Sequence, residues 1–309
     1  MKTVFITRRL PRVAEELLSK HFKVVVNRKN KPITRRELRD TVSRYDAILS
    51  TVVDKLSADI LAKKKNLQVI SNYAVGLNNI YVEFAQKNGI AVYNTPDVVT
   101  ESTADLTFAL LLSLIRKIDE ARHFVKKNKW SGWDPELFLG EELNGKTLGI
   151  VGFGRVGQAV AKRAVGFGLR VIFCDRLKPK KRDRAGGARQ VDLKTLLEKS
   201  DYISLHVPLQ KDTRYLINRK SIGRMKKKPI LINMARGEIV KTDALVRALR
   251  SGRVRGACLD VTDPEPLRGA HSLVHMKNCV VVPHIGTATQ ECRHAMAKMA
   301  AENIVHHFI

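Results

Sequence analysis

Acidic residues are scarce in this sequence: 30 Asp plus Glu stand against 56 Lys plus Arg in 309 residues, a formal net charge of +26. Aromatic residues make up only 6%, and the four cysteines, Cys174, Cys258, Cys279 and Cys292, form no CxxC pair. They read as reduced, small core residues, and a cytosolic (cytoplasmic) setting is expected. No long apolar run occurs. The longest, Phe108 to Leu112, is interrupted by Ser113 before Leu114 and Ile115, well short of the roughly 20 residues of a membrane-spanning helix. The strand-like start, Met1 to Thr7, has no signal-peptide core behind it,. What is present is ample core material: 44% hydrophobic residues exclude a disordered chain, and the length allows one large or two ordinary domains,.

The positive charge invites a nucleic-acid reading, because clustered Lys and Arg attract phosphates. Only the stretch Arg176 to Arg189 is unusually dense, with seven basic residues against Asp183 alone. No zinc-finger spacing, RNA-recognition signature or aromatic stripe accompanies it, so a solvated basic surface is the favoured reading. The sequence assigns no metal site.

Short apolar runs alternate with helical periods, the pattern of parallel α/β sheets. Strands are expected at Thr3–Thr7, Phe22–Val26, Asp46–Leu49, Leu67–Ser71 and Ile90–Tyr93, with a helix over Pro11–Lys20. After the punctuating Asn94-Thr95-Pro96-Asp97, one long helical segment is expected over Thr100–Lys127, facing the core with Leu106, Ala109, Leu110, Ser113 and Leu114,. A second series of strands and helices begins at Asn144 and ends in an amphipathic segment, Gln290–Ile309. Two α/β halves of unequal kind follow.

Gly152-Phe153-Gly154-Arg155-Val156-Gly157 follows an apolar strand and opens a helix. In that context G-x-G-x-x-G is a dinucleotide turn: a tight bend, a close approach to pyrophosphate, and close helix–strand packing. The helix N-terminus then offers N–H groups to the phosphates. The next strand ends at Asp175, 23 residues after Gly152, where an acidic side chain meets a ribose 2′-hydroxyl,. Asp175 favours NAD, while Arg176, Lys178, Lys180 and Lys181 could instead pair with the 2′-phosphate of NADP.

Three further groups sit at expected strand ends: Arg236 after Leu231–Ala235, Glu265 between Pro264 and Pro266, and His284 before Ile285-Gly286. Reducing a 2-oxo acid requires a hydride, a proton donor and a cation for the carboxylate. Histidine titrates near neutrality, a carboxylate partner orients it, and arginine clamps carboxylates bidentately. Singly, each is as well explained as a surface charge, a loop residue and a capped turn. Together, in order behind a dinucleotide turn, they form a catalytic set.

The sequence resembles the D-isomer-specific 2-hydroxyacid dehydrogenase family over nearly its whole length. The resemblance rests on Val151 to Gly157, His206-Val207-Pro208-Leu209, Asn233-Met234-Ala235-Arg236-Gly237, Asp260 to Pro266, and Pro283-His284-Ile285-Gly286. Ser71 to Val75, Asn94 to Asp97 and Trp133 to Gly140 are most similar to its glyoxylate/hydroxypyruvate reductase branch. The resemblance implies catalytic roles for Arg236, Glu265 and His284. It adds His206, Val207, Pro208, Thr213, Met234, Ala235, Asp260 and Gly286 to the cofactor residues, and Val52, Val75 and Gly76 to those binding substrate beside Arg236 and His284. The implied fold is α/β with two Rossmann-like domains. One is a flavodoxin-like substrate domain, residues 1–95 and 287–309; the other, residues 96–286, is an NAD(P)-binding doubly wound parallel sheet. A homodimer through the coenzyme domain is also implied. The basic charge and the early end at Ile309 depart from the family pattern.

The expected activity is reduction of glyoxylate or hydroxypyruvate by hydride transfer from NADH, with NADPH the alternative cofactor and His284 the proton donor. The rivals are a dinucleotide-responsive regulatory protein associated with nucleic acid, and a dehydrogenase of phosphoglycerate, formate or phosphite.

Overall fold

Short parallel strands define this molecule. The computed structural model describes residues 1–29, 31–177 and 187–309, which divide into two compact units: Met1–Val99 with Ala288–Ile309, and Thr100–Thr287. The basic side chains Lys178, Lys180, Lys181 and Arg182 lie outside the described residues.

The first unit contains β1 (Thr3–Ile6), α1 (Arg12–Ser19), β2 (Lys23–Val26), α2 (Arg35–Arg44), β3 (Ala47–Thr51), α3 (Ala58–Leu61), β4 (Val69–Tyr73), α4 (Val82–Lys87) and β5 (Ala91–Tyr93). Its strands are parallel in the order β2-β1-β3-β4-β5, the flavodoxin-like arrangement,. Every residue of β3 and β4 is buried, as expected of a parallel sheet covered on both faces.

The second unit contains α5 (Thr100–Ile115), α6 (Ile118–Lys126), β6 (Thr147–Val151), α7 (Arg155–Gly166), β7 (Arg170–Cys174), β8 (Arg189–Gln190), α8 (Leu193–Lys199), β9 (Tyr202–Leu205), α9 (Arg219–Gly223), β10 (Ile230–Asn233), α10 (Thr242–Arg250), β11 (Gly256–Leu259), α11 (Ser272–His275) and β12 (Cys279–Val281). The described strands are parallel in the order β12-β11-β10-β9-β6-β7-β8. The order reverses between β6 and β9, which places the ligand-binding switch point of a doubly wound sheet at their C-terminal ends. The chain's last helix, α12 (Gln290–Phe308), belongs to the first unit, where Met296, Ala297, Ala300 and Ile304 join a core with Val4, Leu18 and Leu49.

Two local expectations change. The segment Thr100–Lys127 is two helices, not one: Lys117 adopts φ +52, and the returning Glu141 N–H bonds the Ile115 carbonyl at 3.1 Å, taking the place of the next helical turn,. Of the expected core-facing residues of α5, Leu110 is buried and Leu106 and Leu114 pack against the core, but Ala109 is exposed. The buried side also takes in Ala104, Thr107, Phe108, Leu111 and Ile115, because the C-terminal half of the helix is apolar on more than one face,. The charged segment after β2 holds α2, opened by a capping box in which Thr34 and Glu37 bond each other's backbone,. No helix among the described residues is long and apolar enough to cross a membrane.

Candidate active site

The glycine turn after β6 has the geometry its sequence requires. Gly152 sits at φ +91, and a side chain there would approach the His206 carbonyl to 2.8 Å,. A side chain at Gly157 would collide with the Gly152 carbonyl oxygen, so strand and helix meet only because this position is bare. Gly154, the N-cap of α7, faces open space, and no side chain caps the helix. That open cradle at a helix N-terminus fits the pyrophosphate of a dinucleotide. Phe153 and Val156 pack into the adjoining core, and Arg155 forms the first turn.

Asp175, one residue beyond β7, is bound into the same turn. Its carboxylate accepts from Phe153 N–H at 2.6 Å and from Leu177 N–H at 2.9 Å. The neighbouring Arg176 is engaged elsewhere, by Asp212 at 3.1 Å and Gln210 at 2.8 Å. After β9, the His206-Val207-Pro208 segment is folded over Thr213, whose hydroxyl donates to the Pro208 carbonyl at 2.6 Å. His206 pairs with Ser204 Oγ through Nε2 at 2.7 Å, while its Nδ1 is shielded without a hydrogen-bond partner among the described residues. Burial pushes the His206 imidazole down to about 3, so it is neutral.

Beyond β10, Asn233 shapes the loop bearing Met234, Ala235 and Arg236. Its side chain accepts from Ala235 N–H at 3.1 Å and donates to the Arg236 carbonyl at 2.8 Å, an Asx turn that fixes where Arg236 emerges,. Burial lowers the Arg236 guanidinium from its ordinary value, against the pull of Glu265 and Glu238; an arginine remains charged regardless.

Beyond β11 and β12 lie Glu265 and His284, the candidate acid–base pair. His284 has φ +54, an uncommon conformation for a side chain of this size,. Its N–H donates to the Asp260 carbonyl at 3.0 Å, and Asp260 Oδ1 and Oδ2 accept from Ile285 N–H at 2.6 Å and Gly286 N–H at 2.9 Å. Asp260 is 3% exposed. Burial raises its carboxyl, opposed by those N–H groups and by His284. So Asp260 holds the backbone that carries His284. His284 Nδ1 lies 2.6 Å from Glu265 Oε1. Burial pushes Glu265 up, but the hydrogen bond and charge of His284, with Thr262 N–H and Arg236, outweigh it and hold the carboxyl below its ordinary range.

Among the catalytic candidates, Glu265 and His284 therefore touch, and Arg236 acts on Glu265 through its charge. Asn233 and the backbone-holding role of Asp260 go beyond the sequence expectation; an Asn three residues before an Arg at a strand end is the signal for the former.

Val52, Val75 and Gly76 lie in the first unit, the two valines 41% exposed. Asn94 Nδ2 holds the Val75 carbonyl at 2.8 Å, Asn72 Nδ2 the Gly76 carbonyl at 3.0 Å, and Thr95 N–H the Ala74 carbonyl at 2.9 Å. In a trans peptide the N–H points opposite to the preceding carbonyl. The N–H groups of Val75 and Gly76 are thus turned away from Thr95 and Asn94.

A dinucleotide turn at the sheet's switch point, with a carboxylate-bound histidine on strand ends of the same sheet, defines the class of NAD(P)-dependent dehydrogenases. Residues 108–286 match the D-isomer specific 2-hydroxyacid dehydrogenase NAD binding domain. The glyoxylate reductase of Thermococcus litoralis is 46% identical over 306 residues, covering 98% of this chain and 92% of its own. The crystal structure of a protein from Thermus thermophilus is similar with TM-score 0.91 at 43% identity, covering 98% of this chain and 96% of that one. That of D-lactate dehydrogenase from Aquifex aeolicus, complexed with NAD and lactic acid, has TM-score 0.85 at 30% identity, with 99% and 95% coverage. The chain belongs to the D-isomer-specific 2-hydroxyacid dehydrogenase family.

Proposed function

We propose that this chain reduces glyoxylate or hydroxypyruvate to the 2-hydroxy acid with NADH, using His284 as proton donor. The observation that carries the reading is the 2.6 Å pair of His284 and Glu265 on the same sheet edge as the glycine turn. Glyoxylate reduction is the activity named for the Thermococcus relative. When bound, the reduced nicotinamide supplies the hydride that C2 of the substrate receives.

His284 presents Nε2 to the substrate oxygen, because Nδ1 is taken by Glu265. Glu265 fixes the ring, so that Nε2 can deliver a proton as charge develops on the oxygen,. Arg236 is the clamp for the substrate carboxylate; in the first unit, Val52 and the N–H groups of Val75 and Gly76 are the substrate-binding groups. NADH is preferred because Asp175 would face a 2′-phosphate with like charge, and Arg176 is already paired with Asp212,. The remaining cofactor contacts are Val207, Pro208, Thr213, Met234, Ala235, Asp260 and Gly286.

The active form is a homodimer joined through the coenzyme unit. Both tryptophans of the chain, Trp130 and Trp133, are 62% and 87% exposed in that unit, and Val125 and Leu139, near them in sequence, are exposed as well. Such exposed apolar residues are consistent with a subunit interface.

The test is a matrix of 2-oxo acids against NADH and NADPH. Highest kcat/KM for glyoxylate or hydroxypyruvate with NADH is expected. A preference for a bulkier 2-oxo acid, or no reduction of either, contradicts the reading.

A further inference from the structure

Glu265 sits in an exposed loop, yet its approach to His284 is close. Something must hold the loop. The chain immediately before Glu265 is fixed at three consecutive carbonyls. The Thr262 carbonyl lies against Gly237, where any side chain would collide with it. The Asp263 carbonyl accepts from Thr242 Oγ1 at 2.6 Å. The Pro264 carbonyl accepts from Thr262 Oγ1 at 2.8 Å. The Asp263 side chain adds a longer contact, 3.3 Å, from the Tyr215 hydroxyl. Gly237 directly follows Arg236, and Thr242 opens α10 on the same stretch of chain. The loop that presents Arg236 therefore grips the loop that presents Glu265.

We infer that Thr242, acting with Gly237, is a positioning residue for the proton-transfer pair: it locks the 262–264 backbone so that Glu265 meets His284 in register with Arg236. The inference rests on the reading of Glu265 and His284 as that pair. Thr242 makes no contact with the reacting groups; it acts by fixing where Glu265 stands. Its hydroxyl matters for a geometric reason, since the bond to Asp263 is the side-chain tie between α10 and this loop. Among the described residues, the charges that act on this pair include Glu265 and Asp260 on His284, and Arg236, itself influenced by Glu238. Of these, Thr242 governs only Glu265.

Misplacement of a catalytic partner by about an ångström costs roughly ten- to hundredfold in rate. The experiment compares wild type with Thr242→Val, Thr242→Ser, Gly237→Ala and Glu265→Gln. It reads kcat, glyoxylate KM, NADH affinity and the pH profile of kcat/KM. Thr242→Val is expected to lower kcat about tenfold and to move the high-pH limb towards lower pH, in the direction of Glu265→Gln, with NADH affinity kept. Thr242→Ser is expected to restore both kcat and the limb, and Gly237→Ala to move the limb as Thr242→Val does. A wild-type limb in either Thr242→Val or Gly237→Ala overturns the inference, as does a Thr242→Ser variant no better than Thr242→Val. A Glu265→Gln variant with an unmoved limb would instead overturn the pairing of Glu265 with His284.

Discussion

His284 Nδ1 and Glu265 Oε1 lie 2.6 Å apart, although 19 residues and the whole of β12 separate them in the chain. The pair exists because two loops at adjacent strand ends turn towards each other, one held by Asp260 and the other by Thr242. Replacing Glu265 by Gln keeps the shape and removes the negative charge that faces His284. Reduction should fall by about a hundredfold at neutral pH and recover partly as the pH is lowered. Equal loss at every pH would contradict the electrostatic role.

Asp175, the proposed ribose acceptor, is bonded to the glycine turn through Phe153 N–H. Asp175→Ala should reduce the NADH over NADPH preference in kcat/KM by at least about tenfold, since it removes both a ribose acceptor and a repulsive charge. An unchanged ratio would leave cofactor choice to other residues.

Arg236 emerges from the Asn233 turn with its Nη1 donating to the Ala235 carbonyl at 2.6 Å. A lysine cannot reproduce that bond together with a two-point carboxylate clamp. Arg236→Lys should raise the glyoxylate KM by about a hundredfold, with NADH affinity held, because a buried charged contact to a carboxylate is worth about 3 kcal/mol. A KM near wild type would place the substrate carboxylate elsewhere.

Much of this site is legible in the sequence, and what is not has identifiable causes. Gly152, Gly154 and Gly157 are readable because a bare position before a helix has few other uses. Arg236, Glu265 and His284 are readable because they stand at strand ends. The break at Lys117 carries no Gly or Pro signal; it comes from Glu141, 26 residues away from Ile115. The buried face of α5 is only partly legible: Leu110 is readable, whereas Ala109 is misplaced because apolar residues cover more than one side of the helix's C-terminal half. Thr242 is silent in the sequence, since its value lies in one bond to Asp263, 21 residues on. Local pattern reveals positions that chemistry demands, and long-range contact reveals the residues that hold them there.

His206 carries a pH prediction of its own. Its folded value is about 3 against an ordinary 6.5, through burial. The unfolded chain takes up the proton first, so stability is unaffected above pH 6.5 and declines as pH falls towards 3,. The slope from this group reaches at most about 1.4 kcal/mol per pH unit. Thermal unfolding of His206→Asn should show a smaller drop in Tm between neutral and mildly acid pH than wild type. An equal drop would show that His206 is not the group responsible.

His284 is proposed to donate the proton during reduction of a small 2-oxo acid. The most direct test is NADH oxidation with saturating glyoxylate by wild type and His284→Ala, alongside NADH binding to both. Intact NADH binding and a loss of at least about a hundredfold in kcat are expected for the variant. Comparable turnover by His284→Ala would contradict that role.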